Sequence, residues 1–288
     1  MVSGDEWSEY FMKETVSFIG TGNMGGALIH AACRALNPGQ VHITDYAAQK
    51  AGAMAEELGC GLEPSNKAAV LAGDYIFLCV KPQVMGSVLE EIAPVLKECL
   101  DKGEKKIVVS IAAGLQLAYF KDMLACCGDA LRVIRVMPNT PAAIGKGMLA
   151  VAAGPEVEDA YVNGVMEILS AAGRVERLEE GLMDQFTVVS GCSPAFVYMF
   201  IEALADGGVM TGLPRAQALT YAAQTVMGAA AMVLETGKHP GELKDAVCSP
   251  AGSTIVGVAK LEENGFRSAA IEAVKAGYDK NVELGKTK

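Results

Sequence analysis

The sequence predicts an α/β fold in which a parallel sheet, with helices on both faces, is followed by a part that is entirely helical. Three observations lead to this prediction. Short apolar runs alternate with helix-like stretches over residues 15–150, a glycine turn at residues 20–25 lies between a strand and a helix, and no convincing strand follows Val175. Alternating strands and helices are typical of an open, doubly wound sheet of the Rossmann type.

Six apolar runs are predicted to form the strands of this sheet. The run Tyr75–Val80 is apolar at every position, which is typical of a parallel strand covered on both faces. The six predicted strands are Val16–Ile19, Val41–Thr44, Tyr75–Val80, Ile107–Ile111, Leu131–Val136 and Met148–Ala152.

Helix-like stretches follow the strands and then continue alone. In the first half they are Met24–Leu36, Ala47–Leu58, Lys67–Leu71, Ser87–Lys97 and Leu117–Met123. In the second half they are Ala160–Ala171, Gly181–Ser190, Ala195–Thr211, Pro214–Thr236, Pro240–Val247 and Ser253–Asn264. We therefore expect an N-terminal extension at residues 1–14, a sheet domain at 15–155 and a helical domain at 156–288.

The predicted helical domain is unusually apolar. The stretch Arg215–Glu235 contains YAAQTVMGAAAMV and has little polar face, so it is expected to pack on several sides. It is either a central core helix or part of an interface with a second subunit. We favour the interface, because the helical part is small for so much apolar surface.

Composition excludes several classes of function. The net charge of −10 argues against nonspecific nucleic-acid binding, which requires clustered Lys and Arg. With 51% hydrophobic and 20% charged residues, the chain has the composition of a soluble globular protein. Apolar runs such as Tyr75–Val80 are too short to span a bilayer, so no membrane partner is expected. The N-terminal segment MVSGDEWSEYFMKE is polar and acidic, unlike a signal peptide.

The eight cysteines indicate the cellular compartment. They are scattered without CxxC spacing, and several lie in apolar segments, where cysteine behaves as a small hydrophobic residue. We expect buried, reduced thiols rather than disulfides or metal ligands, and therefore a cytoplasmic protein.

The glycine turn GTGNMG predicts a dinucleotide site. Gly20 permits a tight turn, Gly22 lets the backbone approach a pyrophosphate, and Gly25 lets helix and strand pack closely. The motif is completed by Thr21, Asn23 and Met24. Because it lies directly after a predicted strand and before a predicted helix, we expect the domain at 15–155 to bind a dinucleotide.

Asp45 bears on which dinucleotide is bound. It ends the second predicted strand, 20 positions after Gly25, where a carboxylate can accept hydrogen bonds from the adenosine ribose and would repel a 2′-phosphate. No Arg follows it, and Lys50 is the nearest cation. This pattern favours NADH over NADPH. The alternative is that Asp45 only caps the next helix.

Further cofactor contacts are expected at the carboxyl ends of later strands, where open α/β sheets bind ligands. One group is Val80, Lys81 and Pro82, and another is Ala112, Ala113 and Gly114. Lys81 could equally be a solvated loop lysine. Asn66 precedes a predicted helix and could cap that helix or reach the ribose.

A second site is predicted in SPAGSTIVG, residues 249–257. It places Pro250, Gly252, Ser253 and Thr254 where a helix would begin, and a helix N-terminus is suited to holding a small carboxylate. Together with the glycine turn, this segment indicates hydride transfer to a small anionic substrate.

The sequence offers no obvious general base. His30 lies in a predicted helix, His42 in a strand and His239 in a turn, and no HExxH, GxSxG or Cys/His metal spacing occurs. Oxidation of an alcohol normally needs such a base. Its absence favours a substrate that already carries its proton, such as a cyclic imine.

Six segments, in unbroken order between about Val16 and Glu283, resemble Δ1-pyrroline-5-carboxylate reductases, and the last is that family's most specific signature. They are VKPQ (Val80–Gln83), SIAAG (Ser110–Gly114), RVMPNTPAAIGKG (Arg135–Gly147), ALADGGVMTGLPR (Ala203–Arg215), HPGELKD (His239–Asp245) and SPAGSTI (Ser249–Ile255).

The resemblance implies the last step of proline synthesis, in which hydride from NADH or NADPH reduces the imine carbon of 1-pyrroline-5-carboxylate to give L-proline. It implies that Thr254 hydrogen-bonds the ring nitrogen, that the amides of Gly252, Ser253 and Thr254 hold the carboxylate, and that Glu180 lies near the substrate. It also implies that the helical domain interlocks two subunits, with larger rings of dimers in some members.

The sequence departs from the family at several positions. Cys192-Ser193 and Ala251 replace the usual residues of two signatures, and Ala246 stands where some members have an Asn that touches the cofactor. Asp45-Tyr46 differs from the small polar or basic residues of many NADPH-dependent members, which again favours NADH. These departures concern substrate geometry and affinity more than the class of reaction.

Two other functions are compatible with the same pattern. One is a related imine reductase or a β-hydroxyacid-type dehydrogenase. The dehydrogenase would need a catalytic Lys, and Lys238, Lys244 and Lys260 are available but lie in no matching motif. The other is a nucleotide-sensing protein without turnover, against which the nearly intact SPAGST segment argues.

Overall fold

A computed structural model of the chain describes residues 14–286, and their side chains up to Glu283. The N-terminal extension expected at 1–14 therefore lies, apart from Glu14, outside the described residues. The chain divides into two compact units. One comprises the residues up to Gly191 together with those from Asn281 onward, and the other is Cys192–Lys280.

The first unit is built on an eight-stranded sheet in the order β3-β2-β1-β4-β5-β6-β7-β8. All neighbouring strands are parallel except β6 and β7, which are antiparallel. The strands are β1 (Val16–Ile19), β2 (Val41–Thr44), β3 (Gly61–Leu62), β4 (Tyr75–Leu78), β5 (Ile107–Ser110), β6 (Arg132–Met137), β7 (Gly147–Ala153) and β8 (Gly173–Arg177). The predicted fold class is confirmed.

Helices cover both faces of this sheet. They are α1 (Asn23–Ala35), α2 (Ala48–Leu58), α3 (Asn66–Ala72), α4 (Pro82–Asp101), α5 (Leu117–Met123), α6 (Asp159–Ile168) and the short α7 (Met183–Phe186), which is followed by a π-helical turn at Thr187–Cys192. Apolar side chains of α1, α2 and α6 form one core layer, and those of α3, α4 and α5 form the other. Central strands β1, β4 and β5 are buried at every position, as continuous apolar runs predict.

Two strands are not predicted by the sequence. β3 has two residues, which is too short to show a periodic pattern. β8 reads GRVER and leaves Arg174, Glu176 and Arg177 exposed at the edge of the sheet, so it lacks the apolar run of an inner strand. Because β8 continues the sheet beyond the domain boundary expected at 155/156, the first unit extends to Gly191.

The second unit is helical. Its helices are α8 (Ser193–Met210), α9 (Arg215–Thr236), α10 (Pro240–Ala246), α11 (Ser253–Glu263) and most of α12 (Phe266–Lys286), whose residues from Asn281 onward are assigned to the first unit. No helix is predicted from the sequence at the position of α12. Small buried residues let α8 and α9 pack together, namely Ala205, Ala218 and Ala222. Many larger apolar side chains of this unit remain exposed, among them Met199, Met210 and Leu234.

One helical segment within the described residues, Glu180–Met210, is long and apolar enough to cross a membrane by length and composition. It is longer than the apolar runs considered from the sequence, because consecutive 3₁₀, α and π turns continue into α8. Only 17% of its most apolar window is buried in the chain. Length and composition alone do not establish a membrane span, because core helices of soluble proteins meet the same criterion.

Candidate functional site

The glycine turn between β1 and α1 is closely packed. Gly20 has a φ of 108°, and a Cβ there would lie 2.9 Å from the carbonyl carbon and oxygen of Cys79. A Cβ on Gly25 would lie 2.3 Å from the Gly20 oxygen. Both positions therefore exclude any side chain, which is the geometry expected from the first and last glycines of the motif.

Gly22 differs from these two glycines because it borders open space. No atom lies within 4 Å of a Cβ built there, and the residue is exposed together with Asn23. Gly22 is the N-cap of α1, and in the described structure no side chain bonds the first N–H groups of this helix. These donors and the helix dipole can hold a phosphate group.

Asp45 is tied to the glycine turn. Its Oδ2 accepts hydrogen bonds from the Thr21 backbone N–H at 2.6 Å and from the Thr21 hydroxyl at 3.0 Å, and its Oδ1 accepts one from Ala47 N–H at 2.8 Å. Burial acts to raise the pKa of Asp45, but the hydrogen bonds from Thr21 and Ala47, together with Lys50, outweigh it and hold the pKa below its usual value. The carboxylate thus has a structural role in the turn whether or not it also binds a ribose.

A cavity of about 410 Å³ adjoins the turn and contains three basic side chains. They are His30 and Arg34 of α1 and Lys50 of α2. Arg34 also donates a hydrogen bond to the Ala171 carbonyl at 3.2 Å. Neither His30 nor Arg34 is predicted from the sequence to lie in the cofactor region. Gly26, His30 and Arg34 are spaced four residues apart along α1 and therefore lie on one face of the helix. This spacing is the sequence signal that could have predicted His30 and Arg34 as residues near the cofactor.

The expected contacts at β4 and α3 are placed as follows. Lys81 is the exposed N-cap of α4, with Val80 before it and Pro82 as the first helical residue. Asn66 does not cap α3. The cap is Ser65, whose hydroxyl accepts a hydrogen bond from Ala68 N–H at 3.1 Å.

Asn66 is instead the first residue of α3, and its side-chain amide donates to Glu91 at 2.8 Å. The capping role considered for Asn66 is therefore wrong. The reason is that a Ser precedes it, and serine is a strong N-cap residue.

The segment between β5 and α5 is fixed at both ends. At its start, the buried Ser110 hydroxyl accepts a hydrogen bond from Ala112 N–H at 3.2 Å. At its end, Glu180 Oε1 accepts one from Leu117 N–H at 2.6 Å. Ala113 is exposed between these points, and Gly114 turns the chain with a φ of 75°.

Glu180 also lies beside a buried arginine of β6. The Nη1 atom of Arg135 is 3.6 Å from Glu180 Oε1, and the Arg135 side chain is 2% exposed. Burial lowers the pKa of Arg135, against the attraction of Glu180 and Asp184. No role is predicted for Arg135 from the sequence, although a charged residue within an apolar strand often has a functional role.

The SPAGST segment belongs to the second unit. Gly252 is the N-cap of α11, and no side chain within the described residues bonds the start of this helix. Ser253 and Thr254 form its first turn and are exposed. Before it, Gly252 N–H donates to the Ser249 carbonyl at 3.0 Å and Ala251 has a φ of 57°.

The histidines occupy structural positions. His42 Nδ1 lies 2.9 Å from Glu63 Oε1, and His239 is the N-cap of α10, accepting a hydrogen bond from Gly241 N–H at 3.1 Å. His30 lies on α1. Among residues 14–286, no group of three or more His, Cys, Asp or Glu side chains could hold a metal ion.

All eight cysteines are free. Cys99 and Cys127 are buried, whereas Cys126 is exposed, so the expectation of buried thiols does not hold for it. Burial, with a contribution from Cys60, raises the pKa of Cys33 to about 12, which keeps that thiol protonated at neutral pH.

Two family models match the chain. The model for pyrroline-5-carboxylate reductase dimerisation matches residues 180–284, and the model for coenzyme F420-dependent NADP oxidoreductases matches residues 15–114. The first covers the helical unit, and the second covers the strands β1–β5 and the glycine turn.

Curated relatives match over nearly their full length. The pyrroline-5-carboxylate reductase of Escherichia coli K12 is 43% identical over 96% of this chain and 100% of its own. That of Methanosarcina acetivorans is 40% identical over 95% of this chain and 99% of its own.

Solved structures give the same result. A pyrroline-5-carboxylate reductase from Coxiella burnetii has a TM-score of 0.86 and 30% identity, covering 94% of this chain and 98% of its own. The pyrroline carboxylate reductase of Plasmodium falciparum, solved with NADP bound, has a TM-score of 0.80 and 31% identity, covering 95% and 99%.

Proposed function

The chain belongs to the pyrroline-5-carboxylate reductase family, and on this premise we propose how its residues carry out the reaction. The enzyme is an NAD(P)H-dependent oxidoreductase that acts on a CH–NH group and reduces 1-pyrroline-5-carboxylate to L-proline, the last step of proline biosynthesis. When bound, the nicotinamide cofactor supplies the hydride. Residues 15–155 form the proposed cofactor domain and residues 156–288 the proposed substrate and dimerisation domain.

The glycine turn fits a dinucleotide pyrophosphate. Gly22 leaves open space where any larger residue would project a side chain, and the uncapped start of α1 presents the N–H groups of Asn23 and Met24. Gly20 and Gly25 shape this turn, and Thr21 anchors it to Asp45.

The nicotinamide end of the cofactor is assigned to the next two strand ends. Val80, Lys81 and Pro82 follow the end of β4 by two to four residues, and Ala112–Gly114 follow the end of β5 by the same number. The small side chains of the second group let a planar ring lie against the backbone. Asn66 remains a candidate for the ribose, although its amide is held by Glu91.

NADH is the proposed preferred cofactor. The lowered pKa of Asp45 keeps its carboxylate ionised at neutral pH, and a negative charge at the end of β2 disfavours a 2′-phosphate. The basic side chains of the adjacent cavity, His30, Arg34 and Lys50, favour the opposite preference. The balance between these two groups decides selectivity, so NADPH is the second candidate.

The observation that carries the proposed substrate site is the start of α11. Its first turn is uncapped and exposes Ser253 and Thr254, so the N–H groups that follow Gly252 can hold the substrate carboxylate. The Thr254 hydroxyl is the proposed hydrogen-bond partner of the ring nitrogen and the only residue assigned a catalytic role. A pyrroline nitrogen is protonated from solvent, so this site needs no general base. Glu180 is retained as a substrate-binding candidate.

We infer that the protein is a cytoplasmic homo-oligomer built from dimers. The second unit leaves a cavity of about 690 Å³ with an almost entirely apolar lining, which includes Phe196, Phe200, Leu261 and Phe266. A second copy of the helical unit would bury this surface and the apolar face of Glu180–Met210, in agreement with the dimerisation family matched by residues 180–284.

A direct assay tests the proposal. Oxidation of NADH and of NADPH is followed at 340 nm with 1-pyrroline-5-carboxylate, side by side. The expected result is turnover with both and a higher kcat/KM for NADH. An equal or higher kcat/KM for NADPH contradicts the interpretation of Asp45, and light scattering that shows only monomers contradicts the proposed dimer.

A further inference from the structure

Arg135 is a buried charge that the proposed reaction does not use. It lies on β6, directly across from Ser110 at the end of β5, and only 2% of its side chain is exposed. Its Nε and Nη2 atoms are buried and have no hydrogen-bond partner within the described residues. A buried guanidinium is costly unless carboxylates compensate it, and Glu180 and Asp184 supply that compensation.

Glu180 connects this charge to the start of α5. The N-cap of α5 is Gln116, whose side chain does not bond the helix. The Glu180 carboxylate caps α5 instead, although it lies 63 residues further along the chain. It accepts a hydrogen bond from Leu117 N–H at 2.6 Å. A carboxylate at a helix N-terminus is also stabilised by the helix dipole.

The segment held in this way is the one assigned to the nicotinamide. Residues 111–116 run from the Ser110 anchor to the Glu180 anchor and contain the exposed Ala113. Between the anchors the chain turns at Gly114. The position of the segment therefore depends on where the Glu180 carboxylate lies, and Arg135 is the buried cation next to that carboxylate.

We propose that Arg135 and Glu180 are a positioning pair that fixes residues 111–116 for cofactor binding. This inference rests on the proposed function, because it takes the 112–114 segment as a cofactor contact. It differs from that proposal in assigning Glu180 to the backbone of this segment rather than to the substrate. Neither residue touches the reacting atoms in this role.

The test compares Glu180→Ala with Glu180→Gln and a matched control. Gln keeps an oxygen that can accept from Leu117 N–H but loses the charge facing Arg135, whereas Ala loses both. Glu158→Gln is the control. The Oε2 atom of Glu158 lies 3.0 Å from Nε of Arg132, which is on β6 like Arg135, but the Glu158 side chain is half exposed. Each variant is measured for cofactor Kd by fluorescence titration and for kcat and both KM values.

For Glu180→Ala, we expect both the cofactor Kd and the cofactor KM to rise about tenfold, because residues 111–116 are no longer held in the position that binds the cofactor. Glu180→Gln is expected to lie between Ala and wild type, and Glu158→Gln to equal wild type. The KM for pyrroline-5-carboxylate should stay within twofold. A residue with a merely structural role would lower the Tm and the folded fraction without changing Kd for each folded site.

Two outcomes overturn the proposal. One is a cofactor Kd within twofold of wild type in Glu180→Ala. The other is a change confined to the KM for pyrroline-5-carboxylate, which would place Glu180 at the substrate. If Glu180→Ala does not fold, Glu180→Gln and Arg135→Lys are judged by the same criteria. Wild-type enzyme that binds cofactor but does not reduce pyrroline-5-carboxylate contradicts the proposed function alone, since Kd still reports on the pair.

Discussion

The carboxylate of Asp45 accepts two hydrogen bonds from Thr21, at 2.6 Å from the backbone N–H and at 3.0 Å from the hydroxyl. This contact joins the end of β2 to the glycine turn that follows β1. The residue that the sequence pattern associates with the ribose therefore also fixes the turn that we propose to hold the pyrophosphate. Substitution of Asp45 is expected to change both the stability of the turn and the choice of cofactor.

The stability effect should depend on pH. Because the hydrogen bonds lower the pKa of Asp45 in the folded protein, its contribution is present above the unfolded value of 3.8 and is lost as the pH falls through the lower folded value. Asp45→Asn should therefore have a lower Tm than wild type at pH 7, and the difference should shrink below about pH 4. Asp122→Asn, on the exposed surface of α5, is the control. A difference that is the same at pH 7 and pH 3.5 would contradict the ionised role.

The choice of cofactor is tested by Asp45→Ser. Removal of the negative charge should raise kcat/KM for NADPH relative to NADH by about fivefold, the effect expected from roughly 1 kcal/mol of lost repulsion. Steady-state kinetics with both cofactors measure the ratio. Lys50→Gln is the matched test of the opposing charge and should lower the ratio. An unchanged ratio in Asp45→Ser would mean that selectivity arises elsewhere.

Substitution of two of the motif glycines, Gly22 and Gly25, should separate effects on folding from effects on cofactor binding. Gly22→Ala introduces a methyl group into open space, so the Tm should stay near that of wild type while cofactor Kd rises. Gly25→Ala would bring a Cβ to within 2.3 Å of the Gly20 oxygen and should unfold the turn. Thermal melts and fluorescence titration measure the two effects. Equal loss of stability in both variants would show that Gly22 serves the fold rather than the cofactor.

These features could be predicted because their signals are local in the sequence. The bounds of β1, β2 and α5 agree with the predicted ranges to the residue. Each is a short segment with a clear hydrophobic pattern, flanked by polar or turn-forming residues. The glycine turn and Asp45 follow from fixed spacing after a strand. The N-cap of α3 is Ser65 and not Asn66. This difference of one residue is within the usual uncertainty in locating a helix end.

Other features could not be predicted, because they depend on contacts between distant parts of the chain. The hydrogen bond from Leu117 to Glu180 joins residues 63 positions apart, and no local pattern indicates it. The edge strand β8 is defined by pairing with β7 rather than by its own GRVER sequence. The composition of α9 predicts its apolar surface, but the packing partner of that surface, its own chain or a second copy, is not encoded in hydrophobic periodicity.

Ala251 is a strained residue at the entrance to α11. Its φ of 57° is the only positive value among the described residues other than glycine, and it directly precedes the helix N-cap Gly252. Ala251→Gly should leave the free energy of unfolding unchanged or raise it by up to about 1 kcal/mol, because relief of strain offsets the greater entropy of the unfolded chain. Ala53→Gly, at an exposed position within α2, should lower it by about 0.5–1 kcal/mol. Urea denaturation measures both, and an equal loss in the two variants would contradict strain at Ala251.

Thr254 is the residue on which the proposed chemistry depends most directly. It lies exposed in the first turn of α11, so its removal should not disturb a packed core. Thr254→Ala should reduce kcat by roughly one to two orders of magnitude, as expected for loss of one hydrogen bond to a charged group, worth about 1.5–3 kcal/mol, with little change in cofactor Kd. Thr254→Ser keeps the hydroxyl and should recover most of the rate. If Thr254→Ala turns over at the wild-type rate, or if Thr254→Ser is as slow as Ala, the ring nitrogen is oriented by another group and the start of α11 serves only to hold the carboxylate.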